Sequence, residues 1–128
     1  MTEKIMSKDD LQALIAVGEG QMLEFKRSGS THIGREICAF ANSLGGRILI
    51  GVDDSGMLHP LNKPNTLRSQ VQSIARNLDP PIMVDCMEVE GILVVTVPES
   101  RHKPPQLVGK VLSARGCQLP ADEPRRNP

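Results

Sequence analysis

The sequence of 128 residues contains no tryptophan, no tyrosine and only two phenylalanines, Phe25 and Phe40. The core must therefore be built from leucine, isoleucine, valine, methionine and alanine. The scarcity of aromatic rings leaves little material for the stacking surfaces with which many proteins bind unpaired nucleic-acid bases.

The three cysteines, Cys38, Cys86 and Cys117, are odd in number and far apart, which argues against a disulfide framework. Neither the cysteines nor the three histidines have the close spacing of a zinc site. No apolar run approaches the roughly 20 residues of a membrane helix, and the acidic N-terminus is not typical of a signal peptide. We therefore predict a cytoplasmic, single-domain protein without a membrane partner.

The formal net charge is zero, but the charges are unevenly distributed. Residues 1–100 carry nine Lys and Arg against thirteen Asp and Glu, whereas residues 101–128 carry six against two. A basic C-terminal segment beside an acidic body is compatible with a site that handles phosphates near carboxylates. It is equally compatible with an ordinary solvated tail.

The apolar pattern predicts helices and strands in alternation. Helices are expected over about 8–16, over the stripe that runs from Ile33 to Leu44, and over about 65–78. Strands are expected at 22–27, 48–52, 82–89 and 92–97, with Glu90 and Gly91 as a hairpin turn. A last edge strand is predicted over 108–115, and the proline-rich residues 118–128 are expected to be disordered. The predicted fold is a small α+β sandwich with helices packed on a mixed sheet.

Three carboxylates are candidates for chemistry: Glu19 before the first strand, Glu24 on it, and Asp53 at the end of its expected neighbour. Such a group could hold Mg²⁺ or Mn²⁺, which prefer oxygen ligands, and a bound metal could activate water against a phosphodiester. Lys26, on the same strand face as Glu24, could neutralise phosphate charge. Alternatively, Glu24 and Lys26 form a solvated strand face and residues 53–56 an ordinary turn.

Two segments, LEFKRS (23–28) and ICAFANSLGGRILIGVDDSG (37–56), resemble the Schlafen AlbA-type domain, as does HKPPQLVGK (102–110). The resemblance spans about residues 17–117, and its Ala-Asn-x-x-Gly-Gly-x-Ile-x-Ile-Gly-Val-Asp-Asp core is highly specific. It implies an N-terminal helical extension at 1–17, an Alba-like two-layer domain at 18–117 and a tail at 118–128. One departure is Val111–Cys117, which lacks the tyrosine of the family's final strand and displaces Arg115 by one position.

The resemblance implies a nucleic-acid-binding domain for DNA or RNA with a role in transcriptional regulation. Because the sequence shows no recognition helix and no group of base-reading residues, we expect low sequence specificity. The resemblance offers no support for a nucleotide cofactor, and a single copy would have to form a homodimer to build a groove like that of animal Schlafens. Candidate phosphate contacts are the cations Lys26, Arg27, Arg101, Lys103, Lys110 and Arg115. The alternative is a metal-dependent endoribonuclease, because similar animal domains cut RNA with three carboxylates that map onto Glu19, Glu24 and Asp53. A third hypothesis is an orphan regulatory or oligomerisation module.

Overall fold

A mixed four-stranded sheet is the centre of the fold. The computed structural model describes residues 6–29 and 32–100. Within them the elements are α1 (Lys8–Val17), β1 (Leu23–Lys26), α2 (Ile33–Ala41), β2 (Gly46–Ile50), α3 (Pro64–Arg76), β3 (Asp85–Val89) and β4 (Ile92–Val97). The strand order is β1-β2-β4-β3, and β1 is parallel to β2 while the other pairings are antiparallel. The strand at 108–115 and the tail at 118–128 were predicted for residues outside the described part of the chain.

The N-terminal helix starts where its capping residues predict. The backbone N–H of Asp10 donates to Ser7 Oγ at 3.2 Å, and the Ser7 N–H donates to Asp10 Oδ2 at 3.0 Å. This reciprocal pair satisfies donors that a helix start would otherwise leave unbonded. The helix then ends at Gly18, whose φ of 86° suits glycine.

The alternation of side chains along the strands divides the core into two layers. Ile48 and Ile50 of β2 pack in one cluster with α2 and α3, whereas Leu49 packs in the other cluster with Leu11 of α1. The sheet and the pair α2–α3 form the predicted α+β sandwich, and α1 covers the opposite face. Strand β2 is apolar throughout its buried part because both of its faces are covered.

The turn between α2 and β2 corrects one sequence prediction. Leu44 was expected to continue the buried stripe of α2, but the helix ends at Ala41 and Leu44 is 55% exposed. The cause is the tight turn after the helix, in which the Gly45 N–H donates to the carbonyl of Phe40 at 2.8 Å. Gly45 has a φ of 83°, as its predicted role in ending the helix requires.

The cysteines give a second correction. Cys38 of α2 is disulfide-bonded, whereas the spacing and number of the cysteines argued against a disulfide framework. Separation along the chain does not limit proximity in the fold, so that argument was too weak. Cys86 is a free thiol, and burial raises its pKa to about 11.

Candidate functional site

Strand β1 carries charged side chains on one of its faces, as its alternating sequence predicted. Leu23 and Phe25 are buried beneath α1, while Glu24 and Lys26 project on the other face. Within the described residues β1 lies at the edge of the sheet, and the side chain of Glu24 is 38% exposed. Charged residues can occupy these positions because the edge of the sheet lies close to water.

Lys26 is held by an intramolecular ion pair. Its Nζ pairs with Glu36 of α2, and it lies 3.9 Å from Glu24 Oε2. The hydrogen bond to Glu36 is the main reason that the pKa of Lys26 is raised. Lys26 was predicted to contact phosphate, but its charge is already balanced by two carboxylates of the chain itself.

Glu36 is a site residue that the sequence analysis did not select. It lies three residues after Ile33 and four before Phe40, which places a carboxylate on the apolar stripe of α2. One oxygen, Oε1, is buried without a hydrogen-bond partner among the described residues. A charge on a buried stripe is the signal that could have identified it.

Glu24 is surrounded by other carboxylates. Its pKa is raised, chiefly by burial and then by the negative charges of Glu19 and Glu36, while Lys26 opposes the shift. Glu19 is fixed at the edge of the sheet, where its Oε2 accepts a hydrogen bond from the backbone N–H of Phe25 at 2.9 Å. Glu19 and Glu24 therefore lie close enough for their negative charges to repel each other.

Asp53 occupies a different environment, inside the turn after β2. Its Oδ1 accepts hydrogen bonds from the Ser55 N–H at 2.9 Å, the Ser55 hydroxyl at 2.7 Å and the Met57 N–H at 3.0 Å. Its Oδ2 lies 2.9 Å from Nε2 of His59. Both oxygens of Asp53 thus hold the turn together. Its neighbour Asp54 is the residue of this turn whose charge raises the pKa of Glu24.

The predicted metal centre is not assembled in the part of the chain that the structure describes. Within residues 6–29 and 32–100 no three His, Cys, Asp or Glu side chains are arranged to hold a metal ion. The carboxylates of Glu19, Glu24 and Asp53 were expected to converge, but the hydrogen bonds of Asp53 are made within its own turn. The endoribonuclease interpretation and its Mg²⁺ or Mn²⁺ stay predictions.

The hydrogen bonds of Asp53 give a prediction for acid stability. Those from His59, Ser55 and Met57 hold the pKa of Asp53 far below its ordinary value of 3.8. A lowered pKa contributes stability that is present above the unfolded value and is lost as the pH falls toward the folded one. We therefore expect Asp53→Asn to reduce the drop in melting temperature between pH 5 and pH 3, as followed by circular dichroism.

The matched control for Asp53→Asn is Asp54→Asn, which removes the same charge from the exposed neighbouring residue. None of the hydrogen bonds that hold the turn involves Asp54, so this variant should keep the acid sensitivity of the unmodified protein. Equal acid sensitivity in both variants would contradict the role assigned to Asp53.

A group of exposed cations lies where β1 and β2 end. Gly29 of the loop after β1, Ile33 of α2, Ile50 of β2 and Leu67 of α3 line one cavity, so the first turns of both helices meet at this edge of the sheet. The exposed residues Arg27, Arg35 and Lys63 belong to these segments, and we call the three the cation edge.

Only Arg27 of the cation edge was predicted from the sequence. Arg35 and Lys63 were missed because each is an isolated cation in its own segment, and only the parallel pairing of β1 with β2 brings these segments to one edge. The remaining predicted phosphate contacts, Arg101, Lys103, Lys110 and Arg115, lie outside the described residues.

None of the described helices is long and apolar enough to cross a membrane.

Two comparisons with known proteins cover most of the chain. Residues 19–117 match the family model for Schlafen, AlbA_2. The chain is also similar to the N-terminal domain of a RecG-related protein from Nitrosomonas europaea, solved by solution NMR, with a TM-score of 0.53 and 24% sequence identity over 94% of each chain. At this identity the likeness concerns the fold, and it agrees with the α+β architecture described above.

Proposed function

We propose that this chain, which belongs to the Schlafen AlbA_2 family, is a nucleic-acid-binding domain that contacts the phosphate backbone through its cation edge. The observation that carries the proposal is that Arg27, Arg35 and Lys63, all exposed, belong to the segments that border one cavity where the parallel strands end. The solved neighbour is named for its relation to RecG, an ATP-dependent DNA helicase. That name supports a connection with nucleic acid and no particular activity.

Two helix starts at this edge favour an anion, beside the carboxylates of Asp53 and Asp54 that also follow β2. The first turns of α2 and α3 lie here, and the N-terminal turn of a helix carries unpaired N–H groups and a partial positive charge. The side chains of Arg27, Arg35 and Lys63 add three full charges that are open to solvent. Phosphates are the groups that such a surface recognises without reading the sequence of bases.

Lys26 and Arg27 are neighbours in the chain, but only Lys26 is held in an ion pair with carboxylates of the same chain. Lys26 balances Glu24 and Glu36 and keeps β1 attached to α2, so it would lose those contacts if it turned to a ligand. Arg27, the next residue, follows the end of β1 and is exposed. Of the two, we assign Arg27 the contact with phosphate.

The test is a triple variant, Arg27→Ser with Arg35→Ser and Lys63→Ser, measured by fluorescence anisotropy on labelled DNA and RNA. We expect at least a tenfold loss of affinity at low salt, because three contacts with phosphate are removed. Each lost contact should also reduce the slope of log affinity against log salt concentration by about 1. The unmodified protein should itself bind much more weakly at about 200 mM than at about 50 mM salt.

A second triple variant provides the control for charge. Lys8→Ser with Arg47→Ser and Arg76→Ser removes three exposed cations from outside the cation edge and produces the same net charge. It should retain most of the affinity. An equal loss of affinity in both triple variants, or an affinity that does not change with salt concentration, would contradict the assignment.

The homodimer stays a prediction, and sedimentation of the same samples would test it.

A further inference from the structure

We propose that the cation edge binds duplex nucleic acid in preference to single strands. This inference rests on the function proposed above and names the form of its ligand. It follows from where the chain places its aromatic rings, its exposed apolar side chains and its cations.

Both aromatic rings of the chain are buried in the core. Phe25 is 5% exposed and packs under α1 with Leu11 and Leu23, while Phe40 is 9% exposed and packs on the other face of the sheet. The ring of Phe40 also fills the space above Gly46, where a Cβ atom would lie 2.5 Å from Cδ1. Neither ring could stack on a base without leaving the core, and the chain contains no Trp or Tyr.

Val17, Met22 and Leu44, which are exposed apolar side chains, lie at the opposite end of the sheet from the cations, whereas Met57, also exposed, lies in the turn after β2 and carries no ring for stacking. Val17 and Met22 line a groove together with Gly46, at the start of β2, and Leu44 lies two residues before this strand. The cation edge lies at the end of the same strand, beyond Ile50. These apolar side chains are therefore badly placed to hold a base whose phosphates contact Arg27, Arg35 and Lys63.

A surface that binds through cations gains more from a duplex than from a single strand. Duplex DNA carries one charge per roughly 1.7 Å of its axis, and each neutralised phosphate releases about 0.9 counterions, compared with about 0.7 for single strands. Proteins that prefer single strands offset this difference by stacking bases on aromatic rings. The cation edge supplies positive charges that neutralise phosphates but has no aromatic rings on which bases could stack.

The experiment compares a labelled blunt duplex with each of its separated strands, using the full chain and the same range of salt concentrations. We expect the duplex to bind roughly tenfold more tightly than either strand and to show the steeper salt dependence. Duplexes of unrelated sequence should bind within about threefold of one another, because the contacts are to the backbone.

A gain-of-function variant tests the stated cause. Ser28→Trp places an indole on the exposed loop beside Arg27 and should raise single-strand affinity roughly fivefold or more, with little change for the duplex. Gln12→Trp, on exposed α1 across the sheet, is the control and should change neither affinity.

Each contrary result has a distinct meaning. Single strands that bind as tightly as the duplex, with a loss in the cation-edge triple variant, would overturn the duplex preference and leave the proposed function standing. Absence of salt-sensitive binding to either form would overturn the proposed function and this inference with it.

Discussion

Leu11→Ala should destabilise the protein by about 2–5 kcal/mol, the range for deleting a buried leucine side chain. Leu11 is fully buried and packs with Leu23, Phe25 and Leu49 between α1 and the sheet. Alanine has the better helix propensity, so the loss would come from the cavity and the lost apolar burial. Urea unfolding followed by circular dichroism should show a lower midpoint with an unchanged slope.

The result also bears on where the folding unit begins. The family match starts at residue 19, after α1, and the sequence resemblance treats residues 1–17 as an extension. If α1 is part of the cooperative core, Leu11→Ala should lower the stability of the whole domain in one transition. Gln12→Ala, at the next and exposed position, should change the stability by less than about 0.5 kcal/mol. Similar small effects at both positions would mean that α1 contributes little to the core.

Gly45→Ala should cost about 3 kcal/mol or more. At a φ of 83° a side chain is strained by about 1–2 kcal/mol, and here a Cβ atom would also lie 2.7 Å from the carbonyl oxygen of Val97. That oxygen belongs to the backbone and cannot move aside as a flexible side chain could. The turn that carries the chain from α2 into β2 would have to shift, together with the end of β4. Thermal and urea unfolding would both report the loss.

Gly20→Ala is the matched control for this substitution. Gly20 also lies in a turn, but it lacks a positive φ and a Cβ atom there would meet no atom within 4 Å. We expect a change within about 1 kcal/mol, which could be stabilising because alanine reduces the freedom of the unfolded chain. If both substitutions were equally mild, the close approach of Gly45 to β4 would not constrain the turn.

Most of the local structure could be predicted because it depends on neighbours in the chain. The reciprocal cap of Ser7 and Asp10 begins α1, and Glu90 and Gly91 adopt φ values of 53° and 80° in the predicted hairpin. The unbroken apolar run of β2 predicted a strand covered on both sides, which the packing of Ile48 and Leu49 in opposite clusters confirmed. These features follow from backbone preferences and from the burial pattern of single elements.

The candidate site was predicted less completely because it is formed between elements. The sequence identified Glu24 and Lys26 as neighbours on one strand face, yet the partner of Lys26 is Glu36, on a helix that only the fold places beside the strand. Asp53 follows β2 as expected, but four hydrogen bonds direct its carboxylate into its own turn. Spacing along the chain could not show that the carboxylate of Asp53 is used in this way.

By itself, the sequence determined the types and order of the helices and strands, the alternation of β1 and the family resemblance of residues 17–117. Only the tertiary structure decided that α1 packs on the face opposite α2 and α3, and that Arg27, Arg35 and Lys63 share one edge. The reason is physical. Local structure reflects dihedral preferences and periodic burial within a few residues, whereas side chains from separate segments meet only through strand order and helix packing.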